Sequence, residues 1–124
     1  MKIIIVDDSK VMRERIINMI SPIHGVDISA EARSSGEAIE LLEKLKPDVM
    51  ILDIRMPDGC GLEVLKYTQE KQIPVVKIVI TNYPLIQYRK KCMELGSDFF
   101  YDKSTEFEEV YKVIEKLNLS NTGI

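Results

Sequence analysis

Short runs of Ile and Val alternate with stretches whose apolar residues recur at helical spacing, strand before helix each time, and this order predicts an α/β domain. Two further observations shape it. A chain of 124 residues, 45% of them hydrophobic, has the length and composition of one domain with its own core, without need of disulfides or structural metal. The run-and-helix unit recurs five times, which predicts a doubly wound five-stranded parallel sheet with helices on both faces. Right-handed crossovers then put every strand's carboxyl end on one edge.

The first strand is residues 3–6, followed by a helix in which Met12, Ile16, Met19 and Ile20 fall at i, i+4, i+7 and i+8. A weaker run, residues 26–30, precedes a helix over 36–45 striped by Ala38, Leu41, Leu42 and Leu45, with Ser35 as its cap. Residues 49–52 form the third strand, set off by Pro47 and closed by Asp53. The turn Pro57-Asp58-Gly59 leads into a short helix carrying Leu62, Leu65 and Thr68. The fourth strand contains residues 78–80 and starts near Lys77, because Pro74 fits the preceding loop. A helix over 84–95 has Pro84 in its first turn and Gly96 just past its end. Residues 99–101 make the fifth strand, and Phe107, Val110, Tyr111, Ile114 and Leu117 stripe the last helix. The expected domain is residues 1–119, with 120–124 as a frayed tail.

Composition removes several functions. The 17 Lys+Arg against 20 Asp+Glu give a net charge of -3, which offers no electrostatic footprint for nucleic acid or a membrane surface. No apolar run approaches the roughly 20 residues of a membrane span. Asp7 and Asp8 follow too closely on Met1 for a signal peptide. Cys60 and Cys92, without a Cys-x-x-Cys pair, fit a reduced cytoplasmic protein. His24, the single histidine, sits in an apparent turn beside Pro22 and Gly25, so a His-rich metal site is excluded. The length leaves no room for a second output module, and a stand-alone domain is expected.

The predicted carboxyl edge is where open α/β sheets bind ligands. Asp7 and Asp8 follow strand one, Asp53 follows strand three, Thr81 follows strand four, and Lys103 follows strand five with Asp102 between. Singly, each has a plain structural explanation as a helix cap, turn former or solvated side chain. Jointly they concentrate charge on one rim. Two carboxylates near 4 Å repel by about 4 kcal/mol at an effective dielectric of about 20, so either a proton or a cation belongs among them. Oxygen donors without His or Cys suit a hard ion, and an open carboxylate site completed by water and a phosphate oxygen suits Mg²⁺. With Lys103 as second cation and Thr81 as hydroxyl donor, the rim is organised to hold a phosphoryl group, for which the carboxylate of Asp53 is the natural acceptor.

The pattern Ile4-Ile5-Val6-Asp7-Asp8-Ser9, then Leu52-Asp53-Ile54-Arg55-Met56-Pro57 with Gly61 four residues on, Ile80-Thr81, and Leu95-Gly96 followed by Phe100 and Lys103 resembles the receiver domain of bacterial two-component response regulators. The resemblance spans essentially the whole chain. It implies a flavodoxin-like strand order 2-1-3-4-5. It also implies that Asp53 accepts the phosphoryl group, that Asp8, Asp53 and the backbone carbonyl of Arg55 bind Mg²⁺ directly, and that Asp7 binds it through water. Thr81 and Lys103 would hold phosphoryl oxygens, and Thr81 and Phe100 would form the switch. The donor would be a sensor histidine kinase or phosphotransfer protein. The output would pass through the helix 4, strand 5, helix 5 face to a downstream protein or a second copy of the domain, with no nucleic acid and no membrane involved. That face includes Tyr88, Arg89, Lys90, Lys91 and Glu94, with Glu106, Glu108 and Glu109 nearby.

Three departures mark this chain within that pattern. Ser104 stands after Lys103, where the family usually has a proline in a cis peptide. Asn82 and Tyr83 follow Thr81 in place of a small residue. Arg55 and Tyr83, two beyond Asp53 and Thr81, occupy positions that in the family tune access of water to the acyl phosphate, and their bulk predicts a long-lived phosphorylated form. Two other readings compete: an aspartate-based phosphatase of the haloacid dehalogenase type, which would want an acid where Arg55 stands, and an unphosphorylated receiver-like interaction module.

Overall fold

Strands and helices alternate as predicted in the computed structural model, which describes residues 1–56, 59–82 and 85–121. The order is β1 (Lys2–Val6), α1 (Lys10–Ile20), β2 (Asp27–Ala32), α2 (Ser35–Leu45), β3 (Val49–Leu52), α3 (Gly61–Glu70), β4 (Val76–Thr81), α4 (Ile86–Glu94), β5 (Phe99–Asp102) and α5 (Phe107–Asn121). The strands form one parallel sheet in the order β2-β1-β3-β4-β5, the order the resemblance implies.

β1 and β3 lie inside the sheet and are covered on both faces, which is why they read as unbroken apolar runs. Alternate residues point to opposite layers. Ile4, Val6, Met50 and Leu52 pack with Ala38 and Leu42 of α2, Val64 and Leu65 of α3 and Cys92 of α4. Ile3, Ile5, Val49 and Ile51 pack with Ile16 and Ile20 of α1 and with Val110, Val113 and Ile114 of α5. Burying each such side chain contributes about 2 kcal/mol.

Several boundaries differ from the expected ones, each for a local reason. Ser34, not Ser35, caps α2: its backbone is extended and its hydroxyl accepts from the Glu37 N–H at 3.2 Å, while Ser35 is the first, buried, helical residue. α4 starts at Ile86 because Leu85 is extended, with φ -73° and ψ 145°. Pro84 itself lies outside the described residues, as do Pro57 and Asp58 of the expected turn. Gly96 does follow α4, with a φ of +93° that favours glycine. β2 is displaced to Asp27–Ala32, its final residue paired with Val6. α5 runs on to Asn121. An unforeseen antiparallel ladder pairs Arg55 with Cys60 and Met56 with Gly59, just after β3.

Candidate functional site

The sheet register sets the rim. Val6, Leu52, Val79 and Phe100 stand abreast on β1, β3, β4 and β5, so the residues beyond them emerge together. The ladder extends past the strands: Asp7 N–H donates to the Ala32 carbonyl at 3.0 Å, Asp53 N–H to that of Val6 at 2.9 Å, and Lys103 N–H to that of Thr81 at 2.9 Å. These bonds fix the Cα positions from which the side chains converge.

Lys103 closes the cluster. Its Nζ donates to Asp7 Oδ2 at 2.7 Å and to Asp53 Oδ2 at 2.9 Å, with the lysine side chain only 4% exposed. Asp7 Oδ1 accepts from the Ser9 N–H at 2.9 Å, and Asp53 Oδ1 accepts from the Arg55 N–H at 3.1 Å. Asp8 is exposed, at the mouth. Thr81 is fully buried at the last turn-ward position of β4, paired with Asp102. Among the described residues, no buried side-chain N or O is left without a partner.

Burial pushes the Asp53 carboxyl above its ordinary value, the Asp7 charge adds to this, and the Lys103 ammonium and Arg55 N–H oppose it without cancelling it. For Lys103, burial alone would lower the pKa, but the hydrogen bonds and charges of Asp7 and Asp53 outweigh it and hold the ammonium above the usual lysine range. The ammonium is therefore secured in its charged form between two acids.

Oxygens of Asp7, Asp8 and Asp53 lie within 4.8 Å of one another. Three carboxylates and one ammonium leave two negative charges uncompensated, and an all-oxygen donor set fits a hard divalent cation such as Mg²⁺. With that ion in place the cluster is neutral, and it could take a phosphoryl group beside the cation and the ammonium.

Sequence reasoning brought Asp7, Asp8, Asp53, Thr81 and Lys103 to this edge; the three acids and Lys103 meet there, and Thr81 ends β4, its carbonyl accepting from the Lys103 N–H. Arg55 is exposed, with its main chain in the small ladder. Tyr83 lies outside the described residues. Phe100 is 4% exposed within the core, and the Arg89 guanidinium lies 5.8 Å from its ring centroid. The peptide bond between Lys103 and Ser104 is trans.

Two contributors escaped the sequence. Arg13 NH1 donates to the Asp7 carbonyl at 2.7 Å while its Nε pairs with Glu31 at 2.9 Å, pinning the end of β1 to β2. Its position one helical turn after Ser9 was the only signal, and that is a common place for a solvated arginine. Gly61 was read only as part of a motif. A Cβ there would lie 2.5 Å from the Asp53 carbonyl oxygen and 2.8 Å from Ile54 Cα, so the start of α3 approaches the backbone of Asp53 and Ile54 as only glycine permits.

Comparison with known proteins agrees with the geometry. The chain is 27% identical over 116 residues to the response regulator GacA of Pseudomonas aeruginosa, covering 94% of this chain and 54% of that protein. It is 33% identical over 119 residues to a protein-glutamate methylesterase/protein-glutamine glutaminase of Bacillus licheniformis, of which it covers only 33%. It thus spans between about a third and a half of these curated relatives. The REC domain of AraT, a response regulator from Geobacillus stearothermophilus, superposes with a TM-score of 0.83 at 31% identity, covering 98% of this chain and 95% of that one. The family model described as the response regulator receiver domain matches residues 3–115, and the chain belongs to that family of signalling domains.

Proposed function

We propose that Asp53 accepts a phosphoryl group from a phosphohistidine of a sensor histidine kinase or phosphotransfer protein in the cytoplasm, and that the phosphorylated domain signals through α4, β5 and α5. The observation that carries this reading is the Lys103 ammonium shared between Asp7 and Asp53 inside a three-carboxylate cluster.

In the proposed step a carboxylate oxygen of Asp53 attacks phosphorus, the bond from phosphorus to the histidine nitrogen breaks, and its electron pair leaves with the imidazole. Burial raises the Asp53 pKa, and Lys103 and the Arg55 N–H partly oppose that rise by favouring the carboxylate form. As the phosphoryl group arrives, Lys103 exchanges its contact with Asp53 Oδ2 for a phosphoryl oxygen, and Thr81 is drawn toward another. Asp8, Asp53, the Arg55 carbonyl and, through water, Asp7 would hold Mg²⁺. That ion would neutralise charge on the transferring group. Asp7, with both oxygens already engaged by Lys103 and Ser9, suits the indirect role, and exposed Asp8 the direct one. Phe100, beneath the Arg89 guanidinium, would couple the movement of Thr81 to α4. The exposed basic stretch of α4 would meet a downstream protein or a second copy.

Incubation with a small acyl phosphate and Mg²⁺, followed by intact mass, should give one phosphate adduct on the wild type and none on Asp53→Asn. Absence of the first or persistence of the second overturns the reading. Slow loss of the adduct is expected from the bulk beside the site, and a half-life of seconds would contradict that part.

A further inference from the structure

A buried ammonium is delivered here by an exposed loop: Ser104 and Thr105 face solvent, yet the Lys103 side chain between them and β5 is 4% exposed. A lysine on a loose loop would give up much of its rotamer freedom to sit so fixedly. The loop is clipped at its base. Ser104 N–H donates to Asp102 Oδ1 at 2.8 Å. Glu106 N–H donates to the Asp102 carbonyl at 2.8 Å, and Glu106 Oε1 accepts from the Asp102 N–H at 3.1 Å. Together with the bond from Lys103 N–H to the Thr81 carbonyl at 2.9 Å, these fix the main chain on both sides of Lys103.

We propose that Asp102 and Glu106 are positioning residues that hold the loop over residues 103–105 so that the Lys103 ammonium falls between Asp7 and Asp53. The consequence for phosphoryl transfer rests on the acceptor reading of Asp53, while the placement of Lys103 does not. An Asx-type turn and a side-chain cap are local devices that substitute for a stiffer sequence.

The test is lysine acylation by a small activated ester, read residue by residue by peptide mass, in the wild type and in Asp102→Ala, Asp102→Asn, Glu106→Ala and Glu106→Gln. Lys103 should label about fivefold faster in the two alanine variants, the factor that the loss of one hydrogen bond of about 1 kcal/mol gives. Asn and Gln keep the accepting oxygen and should restore protection, which a merely charge-based role would not. Other lysines should label at wild-type rates, and melting curves should confirm folding. If Asp102→Ala does not fold, Glu106→Ala carries the comparison. Adduct formation on Asp53 should slow by the same factor in the alanine variants. Unchanged Lys103 labelling in a folded alanine variant overturns the proposal. A wild type that takes no phosphate while the labelling differences stand overturns only the acceptor reading.

Discussion

The two edges of the sheet carry the same residue type to opposite ends. At the amino edge, Asp48 and Asp98 are exposed and each serves the start of a neighbouring strand: Asp48 Oδ2 accepts from the Lys2 N–H at 2.7 Å, and Asp98 Oδ2 from the Lys77 N–H at 2.8 Å. At the carboxyl edge, Asp7 and Asp53 are 1% and 7% exposed and converge on one ammonium. The first arrangement satisfies backbone donors one at a time in water. The second concentrates negative charge out of water, which costs stability unless a cation is present. Aspartate next to a strand is thus a staple on one side of this molecule and part of a buried charge cluster on the other. The difference lies in what the loops bring beside it.

The largest effect expected from breaking this contrast is at Lys103. Lys103→Met leaves two buried carboxylates without their cation, and in chelated buffer denaturant unfolding should register a loss of about 3 kcal/mol. Mg²⁺ should recover part of it. Because the folded-state pKa of Lys103 lies above its ordinary value of 10.5, the stabilisation is complete below pH 10.5 and is lost as pH rises through the higher folded value. On the alkaline side the stability gap between wild type and Lys103→Met should therefore hold from neutral pH up to about pH 10.5 and narrow only above it, while on the acid side it should narrow as the unpaired carboxylates take up protons. A gap that narrowed as pH rose from about 7 to 9 would show that the ammonium is not the group at work.

A smaller effect is expected at Gly61. The methyl of Gly61→Ala would meet the Asp53 carbonyl at 2.5 Å, so α3 or the chain just after β3 must move, at about 2 kcal/mol. Adduct formation should slow with it, although no side chain in the acid cluster has changed. Wild-type rates would mean that the close approach is packing alone.

The smallest effects belong to the other edge. Asp48→Ala removes one hydrogen bond in water, Asp98→Ala one hydrogen bond and the ion pair with Lys77 Nζ at 3.8 Å, and each should cost about 1 kcal/mol by thermal or denaturant unfolding. The double variant should be additive. Neither should alter the rate or extent of adduct formation, and a change in either would end the functional separation of the edges.

Much of the architecture was readable because its signals are local. Ile16 and Ile20 one turn apart, Val49–Leu52 between Pro47 and Asp53, and Gly96 after α4 each report on neighbours a few residues away. The boundaries that moved did so where two local choices were nearly equal, as with Ser34 and Ser35. Asp8, Asp53, Thr81 and Lys103 were legible as a set because every parallel strand ends on the same edge. Arg13, Asp102 and Glu106 were not, since a polar residue in a first turn or loop looks the same whether it touches solvent or pins a backbone.

The sequence by itself determined the alternation of strand and helix and which polar residues end each strand, since these follow from side-chain periodicity and chain direction. Tertiary structure alone decided that Lys103 meets Asp7 across 96 residues and Asp53 across 50. It also decided that Asp48 and Asp98 remain simple staples and that Gly61 must lack a Cβ. Those outcomes depend on strand order and register, which bring distant segments within a few ångströms, and no local spacing in the chain encodes that distance.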